Sequence, residues 1–343
     1  MKIMHVMAGA AQGGAENIFL ESVLALTEAP VDQFVVTRPN NQYRLDQFRA
    51  KNVAVATASF NKWVRFSTRQ VINQAIRQFD PDIIQYWMGR AGTFATKGRA
   101  KNIGWYGGYY KIERFKHCDF HIGLTKDLVR HIVGQGIASD RAAVIHTFAD
   151  FSQDDPTPRS SLDTPDDAPL LLALARLHAK KGLDVLLKAM VHVPQAYLWI
   201  AGEGPLERQL EQLCTSLGLD PRVRFLGWRN DRNALLKAAD ICVFPSRYEP
   251  FGTVTVDAWA AARPLIATKT AGPKAYVTHE ENGLLVEIDD AGGLAEAINL
   301  LIGNKELREK IVAGGTRSFT KQFTKEVFIT ESMSLYEKVL RLD

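Results

Sequence analysis

The sequence predicts an α/β protein made of two doubly wound, Rossmann-like domains. Three observations carry this. The chain has 343 residues, too many for one core of ordinary size and suited to two domains of roughly 150. Short apolar runs alternate with amphipathic stretches. A proline- and aspartate-rich segment interrupts that rhythm, and the same grammar then restarts. Hydrophobic residues make up 46% and charged residues 23% of the chain, which are globular values and exclude disordered, collagenous and coiled-coil classes. No run approaches the roughly 18 apolar residues of a membrane span.

Residues 1–6 read as a first strand rather than a signal peptide. After a glycine-rich turn, Ala15, Ile18, Phe19, Ser22, Val23 and Leu26 fall on one helical face. Strands are expected at 34–37, 82–86, 103–106, 121–125 and 144–146, and helices at 67–78 and 126–134. Such alternation implies a parallel sheet covered on both faces. Residues 152–169 hold four prolines and five aspartates and read as a linker. Strands follow at 170–174, 197–201, 223–226, 241–245, 265–268 and 283–286. Helices follow at 183–192, 206–217, 253–262, 291–302 and 305–319. A last helix at 325–341 is expected to pack back on the first domain. The expected divisions are 1–152, a linker at 153–168, 169–322, and a C-terminal helix at 323–343. Ligands of such sheets lie at the carboxyl ends of the strands, so a cleft between the domains is the expected site.

Charge is uneven. Residues 1–152 hold 19 Lys/Arg against 12 Asp/Glu, and the remainder 23 against 26. A basic front half suits an anionic partner (nucleic acid, a phospholipid surface or an acidic glycan) or a scatter of solvated charge. Cys118, Cys214 and Cys242 show no CxxC spacing and read as reduced thiols of a cytosolic protein.

Four segments carry the chemistry. Gly9-Ala10-Ala11-Gln12-Gly13-Gly14-Ala15-Glu16 joins the first strand to the first helix. It is either a tight turn or a loop offering free amides to an anion, and its spacing is not that of a dinucleotide fingerprint. Ala175-Arg176-Leu177-His178-Ala179-Lys180-Lys181-Gly182 follows a strand. There Arg176 could grip a phosphate bidentately and Lys181 could add a point charge; a solvated loop is the alternative. Ala201-Gly202-Glu203-Gly204-Pro205 is another glycine turn opening a helix, with proline suited to the first helical position; it reads equally as a ligand loop or a plain turn. The sharpest segment runs from Phe244 through Glu249, Pro250, Phe251, Gly252 and Thr253 to Asp257. A helix starting near Thr253 would leave the amides of Phe251, Gly252 and Thr253 as an anion nest. Glu249 and Asp257 beside that nest suit sugar hydroxyls and a ribose diol; a capping acid and a surface acid are the alternative.

These pieces, with Phe225-Leu226-Gly227 and Glu281-Asn282-Gly283-Leu284-Leu285-Val286, occur together in an order that resembles glycosyltransferase family 4, retaining enzymes of the GT-B fold. The resemblance spans most of the chain. It implies that Arg176 and Lys181 neutralise a donor diphosphate, that Glu249 contacts the transferred sugar, and that Asp257 holds the ribose. It also implies that the Gly13-Gly14 loop closes on the diphosphate from the other domain and that Trp228 lies near the base. On that reading Glu249, Arg176 and Lys181 are catalytic. Gly13, Gly14, Gly202, Trp228, Phe251, Gly252, Thr253 and Asp257 bind the donor. Arg90-Ala91 and Gly107-Gly108-Tyr109-Tyr110 resemble bacterial envelope-glycan members, which puts Arg90, Tyr109, Tyr110 and Lys111 on the acceptor side. Residues 1–152 become the acceptor domain and 169–322 the nucleotide-sugar domain. Three features depart from the family pattern. Asp257 stands for the usual Glu, Ala275 stands where a Glu follows a Gly-Pro pair, and the segment 103–111 at the end of the fourth strand lacks a His.

The eight histidines form no HxH or HExxH cluster and there is no DxD motif, so no metal and no cofactor are expected; the nucleoside-diphosphate sugar is a substrate. His146 and His178 sit near strand ends, more often a hydrogen-bonded place than a ligand position. No nucleophile elbow or Walker loop appears. The function implied is retaining transfer of a hexosyl-type sugar to a hydroxyl of an envelope glycan or glycolipid. A non-catalytic nucleotide-sugar-binding module and a Rossmann oxidoreductase are the alternatives. Eight Lys/Arg against three acids between Lys97 and Arg130, interleaved with Trp105, Tyr106, Tyr109, Tyr110 and Phe115, suit peripheral docking on an anionic cytoplasmic leaflet. Nucleic acid is not an expected partner. The other reading of those aromatics is core.

Overall fold

The computed structural model describes residues 1–61, 63, 65–151 and 154–342. Ser152 and Gln153, at the expected start of the linker, lie outside the described residues. The chain divides into two units: residues 1–147 with 325–343, and residues 148–324.

The first unit is a seven-stranded parallel sheet in the order β3-β2-β1-β4-β5-β6-β7. Its strands are β1 (Lys2–Met7), β2 (Asp32–Thr37), β3 (Ala54–Thr57), β4 (Ile83–Trp87), β5 (Lys101–Tyr106), β6 (Phe120–Gly123) and β7 (Ala142–Val144). The helices are α1 (Gly14–Ala25), α2 (Gln42–Ala50), α3 (Arg65–Phe79), α4 (Met88–Gly92) and α5 (Lys126–Val133). Central strands read as continuous apolar runs because both faces are covered; Ile3, Met4, Val6 and Met7 of β1 are all buried. Strand order reverses between β1 and β4, the place where ligands of such sheets sit. The last strand falls two residues earlier than the sequence predicts, because Ala142–Val144 pairs in parallel with His121–Gly123. The C-terminal helix, α13 (Lys325–Leu340), belongs to this unit. It buries Phe328, Leu335, Tyr336 and Val339, and the Tyr336 hydroxyl donates to Gln85 Oε1 on β4 at 2.8 Å.

The second unit is a six-stranded parallel sheet in the order β10-β9-β8-β11-β12-β13. Its strands are β8 (Leu170–Leu174), β9 (Tyr197–Ala201), β10 (Val223–Phe225), β11 (Ile241–Phe244), β12 (Leu265–Thr268) and β13 (Leu284–Val286). The helices are α6 (Leu183–Met190), α7 (Glu207–Ser216), α8 (Arg232–Ala238), α9 (Thr253–Ala260), α10 (Ala271–Tyr276), α11 (Ala291–Gly303) and α12 (Lys305–Gln322). Leu171, Ile200, Val243 and Ile266 from the sheet meet Leu186, Leu294 and Ile298 from the helices in one core. Here the order reverses between β8 and β11. The three cysteines are separate thiols. No helix of the described residues is long and apolar enough to cross a membrane.

Candidate active site

The second unit assembles most of the predicted residues outside the carboxyl ends of β8, β9 and β11. The loop after β8 leads through a 3-10 turn (Ala179–Lys181) to Gly182, whose φ is 62°. A Cβ there would lie 2.1 Å from the Pro245 carbonyl oxygen, so only glycine fits the conformation and the contact. The Lys180 carbonyl accepts from the amides of Arg247 (2.8 Å) and Tyr248 (3.2 Å). The Arg247 guanidinium holds Asp184 through both carboxylate oxygens, at 2.8 and 2.7 Å, and reaches Asp289 at 2.5 Å. That pairing holds the Asp184 carboxyl below its usual range.

The result of this locking is that the Lys181 ammonium pairs with the Glu249 carboxylate. Both side chains are mostly buried, and Lys181 also lies over the Phe244 ring, 5.4 Å from its centroid. Arg176 is exposed and enters no salt bridge among the described residues.

Gly252 has a φ of 93° and immediately precedes α9. A Cβ there would meet Phe244 at 2.8 Å and Glu249 at 3.3 Å. The backbone amides of Gly252 and Thr253 donate to no other group among the described residues, as expected at a helix start. Phe251 is buried, and its carbonyl accepts from the Tyr276 hydroxyl. Gly272 donates its amide to the Glu249 carbonyl at 2.8 Å, so α10 closes the Glu249 loop from behind. Ala275, the departure noted in the sequence, is exposed on that helix.

Asp257 differs from expectation. It is 4% exposed rather than open, and its carboxylate lies 3.5 Å from the Arg232 guanidinium. Burial raises its pKa and Arg232 opposes the rise. Arg232 was not legible as a site residue, because short α8 carries no periodic signal. Gly202 also has a structural reason: a Cβ would stand 2.1 Å from the Ala175 carbonyl oxygen, so this glycine lets the loops after β8 and β9 meet backbone to backbone. Trp228 is 37% exposed. Its amide donates to Glu203 Oε1 at 3.3 Å and its indole to Asn230 at 3.0 Å. His178 caps the 3-10 turn by accepting from Lys180 N at 3.2 Å.

The remaining candidates belong to the first unit. Gly13 precedes α1 and faces Glu16, whose Oε2 a Cβ would meet at 2.3 Å. Glu16 accepts from the Ala10 amide at 2.7 Å. Buried Arg44 donates to the Ala11 carbonyl at 2.9 Å, so the loop is braced from both sides. Gly14 has open space around it. Arg90 and Lys111 are exposed. The Tyr109 hydroxyl donates to Asp127, and the Tyr110 carbonyl takes Gln135 Nε2 at 3.1 Å. His146 Nδ1 lies 2.9 Å from the Leu124 carbonyl. The aromatic residues read as a membrane face are largely core. Trp105, Tyr106 and Phe115 are at most 3% exposed, and Tyr106 stacks on Phe115 at 4.2 Å. They occupy β5 and the turn beside it, inside the sheet. No cluster of three metal-ligating side chains occurs among the described residues.

Two doubly wound parallel sheets with glycine loops at their strand ends define a two-domain α/β protein of the kind that binds ligands at those ends. Residues 154–318 match the family model of the group 1 glycosyl transferases. Over 98% of both chains, the sequence is 34% identical to the lipopolysaccharide core biosynthesis glycosyltransferase LpsD of Rhizobium meliloti. It is 31% identical, again over 98% of both, to LpsE of the same organism, which carries the same description. Among solved structures, Anabaena HepE in complex with UDP-glucose shares the fold with a TM-score of 0.86 and 19% identity, over 98% of this chain and 100% of that one. The chain belongs to the group 1 glycosyl transferases and is a glycosyltransferase.

Proposed function

We propose that the second unit binds a nucleoside-diphosphate sugar and that the enzyme transfers the sugar, with retention and without a metal, to a hydroxyl of a lipopolysaccharide-core type glycan. The observation that carries this is the Lys181–Glu249 pair beside the unengaged amides of Gly252 and Thr253. A cation and a helix start on one side, with a carboxylate next to them, suit a diphosphate bonded to a sugar. As the bond from the anomeric carbon to the diphosphate oxygen breaks, negative charge grows on the diphosphate. Arg176, Lys181 and the two amides meet that charge, with Lys181 turning from Glu249 to the diphosphate. A bond then forms to the acceptor oxygen, and the hydroxyl proton leaves with the released diphosphate. Glu249 orients the sugar through its hydroxyls. Asp257, held by Arg232, takes the ribose diol; Trp228 lies beside the base. Gly13 and Gly14 offer an anion loop at the start of α1.

The donor nucleotide to try first is UDP, which accompanies the HepE structure. The descriptions of LpsD and LpsE support a lipopolysaccharide-core acceptor. Titration calorimetry with UDP, GDP and ADP, followed by mass-spectrometric detection of sugar transfer, tests the reading. Absence of binding to all three, or equal UDP affinity in an Arg176→Ala, Lys181→Ala variant, overturns it.

Peripheral docking on the cytoplasmic leaflet is supported by a different surface from the one the sequence suggests. Trp63 is 81% and Phe66 74% exposed, next to Arg65 and Arg69 at the start of α3. Aromatic rings beside cations suit an anionic interface. Co-sedimentation with phosphatidylglycerol vesicles should fall in a Trp63→Ser, Phe66→Ser variant; equal sedimentation removes the claim.

A further inference from the structure

The first unit carries a cavity of roughly 550 Å³ whose lining includes Arg38, Arg65, Arg90 and Arg114, with Phe60 and Phe94. Arg38 follows β2, Arg65 opens α3 after β3, Arg90 lies on α4 after β4, and Arg114 stands in the turn after β5. The cavity therefore sits outside the carboxyl ends of four parallel strands, where ligands of such sheets bind. No lining residue is acidic. Among the described residues, none of the four arginines enters a salt bridge. Four guanidinium groups around one space repel each other unless an anion joins them.

The backbone is arranged to bring them there. β4 ends at Trp87, and Met88 then adopts a left-handed conformation with φ 67°, strained for a long side chain. That turn starts α4 and carries Arg90. The next residue is Gly89, where a Cβ would stand 2.6 Å from Arg114 Cδ; the missing side chain makes room for the arginine stem. Arg65 is held over the Phe94 ring at 4.7 Å and donates to the Thr93 carbonyl at 3.2 Å. Arg38 Nη1 lies 3.4 Å from the Gly9 carbonyl. Anchored arginines present a fork suited to two-oxygen recognition of phosphate or carboxylate. The volume falls in the range that encloses a small ligand.

We propose that this cavity binds an acidic sugar of the acceptor, a saccharide unit bearing phosphate or carboxylate with at least two negative charges. The enzyme then acts on a glycan that an earlier phosphorylation or acidic-sugar transfer has already modified. This rests on the reading that the first unit takes the acceptor.

The test is calorimetry with glucose 1,6-bisphosphate in the presence of saturating UDP, using wild type, Arg90→Gln with Arg114→Gln, and Arg90→Lys with Arg114→Lys. The wild type should bind the bisphosphate and not bind glucose. The glutamine variant should bind at least 100-fold more weakly, and the lysine variant should fall between, having kept charge and lost the fork. UDP affinity should stay unchanged in all three, and a urea unfolding transition of the first unit matching the wild type's certifies its folding. Unchanged bisphosphate affinity in the glutamine variant overturns the proposal. So does loss of phosphatidylglycerol-vesicle binding with bisphosphate binding intact, which makes the cavity a lipid headgroup site. If no nucleotide binds while the bisphosphate does, the donor reading fails and this one stands.

Discussion

Lys181 and Glu249, 68 residues apart in the chain, form an ion pair between the loops that follow β8 and β11 of the second unit. The pair exists because Gly182 lets the loop after β8 press against Pro245. A diphosphate arriving there competes with Glu249 for the ammonium group. Glu249→Gln removes the competitor and the sugar contact together. UDP affinity should hold or rise, while turnover falls by roughly 100- to 1,000-fold. Lys181→Ala should weaken UDP and reduce turnover as well. Calorimetry beside a transfer assay separates the two; a loss of UDP affinity in Glu249→Gln contradicts this division of labour.

Gly182→Ala forces a side chain into a left-handed position and against a carbonyl oxygen 2.1 Å away. The conformational part alone costs about 1–2 kcal/mol, and displacement of Pro245 adds to it. The variant should unfold at lower urea and bind UDP less well. A control, Gly218→Ala, shares the positive φ of 68° but meets nothing within 4 Å. It should lose stability and keep UDP affinity. Equal UDP affinity in both variants removes the link between this turn and the site.

Asp257 and Arg232 are a pair in which one member is almost fully buried. Breaking such a pair from one side leaves an uncompensated charge, at a cost of about 3–5 kcal/mol for full burial. Arg232→Met should therefore destabilise the second unit more than Asp257→Asn does. Asp257→Asn should weaken UDP more than it slows transfer at saturating donor. Thermal unfolding with and without UDP reads both effects. A larger stability loss in Asp257→Asn contradicts the argument.

Much of this was legible in the sequence, for identifiable reasons. β8, β9 and β12 match their predicted ends, because parallel strands covered on both faces read as unbroken apolar runs. The strand-end turns at Gly182, Gly202 and Gly252 were legible because glycines and a helix start follow β8, β9 and β11. α2 escaped notice, since only Arg44, Leu45 and Phe48 of its nine residues are buried. β3 is a four-residue edge strand with no buried position. α10 hides behind Gly272 and Pro273, which read as breakers; proline is tolerated in a first turn, where no intrahelical donor is lost. The Asp257–Arg232 pair depends on α8, and the arginine cavity on four loops that strand order alone brings together. Aromatics of the segment around Trp105 misled because charge beside them suggests surface, whereas β5 lies inside the sheet.

The first unit should lose stability in acid through His5. Its ring is fully buried. The Trp87 indole donates to Nδ1 at 3.3 Å, and Nε2 lies 3.0 Å from Gln33 Oε1. The neutral form with the proton on Nε2 satisfies both neighbours. A second proton on Nδ1 would face the indole N–H. Burial, the larger influence, lowers the pKa from 6.5 to about 4, and the bond to Gln33 opposes it. Above pH 6.5 both folded and unfolded states hold the ring neutral, and stability does not vary through this group. As pH falls from 6.5 toward 4, the unfolded chain binds a proton that the folded chain refuses. Stability then drops by up to about 1.4 kcal/mol per pH unit. His121, also lowered to about 4 by burial, adds in the same direction. His5→Gln should be less stable at neutral pH and show a shallower decline between pH 6.5 and 4. Urea midpoints measured across that window decide it: parallel declines in wild type and variant would remove His5 as the source.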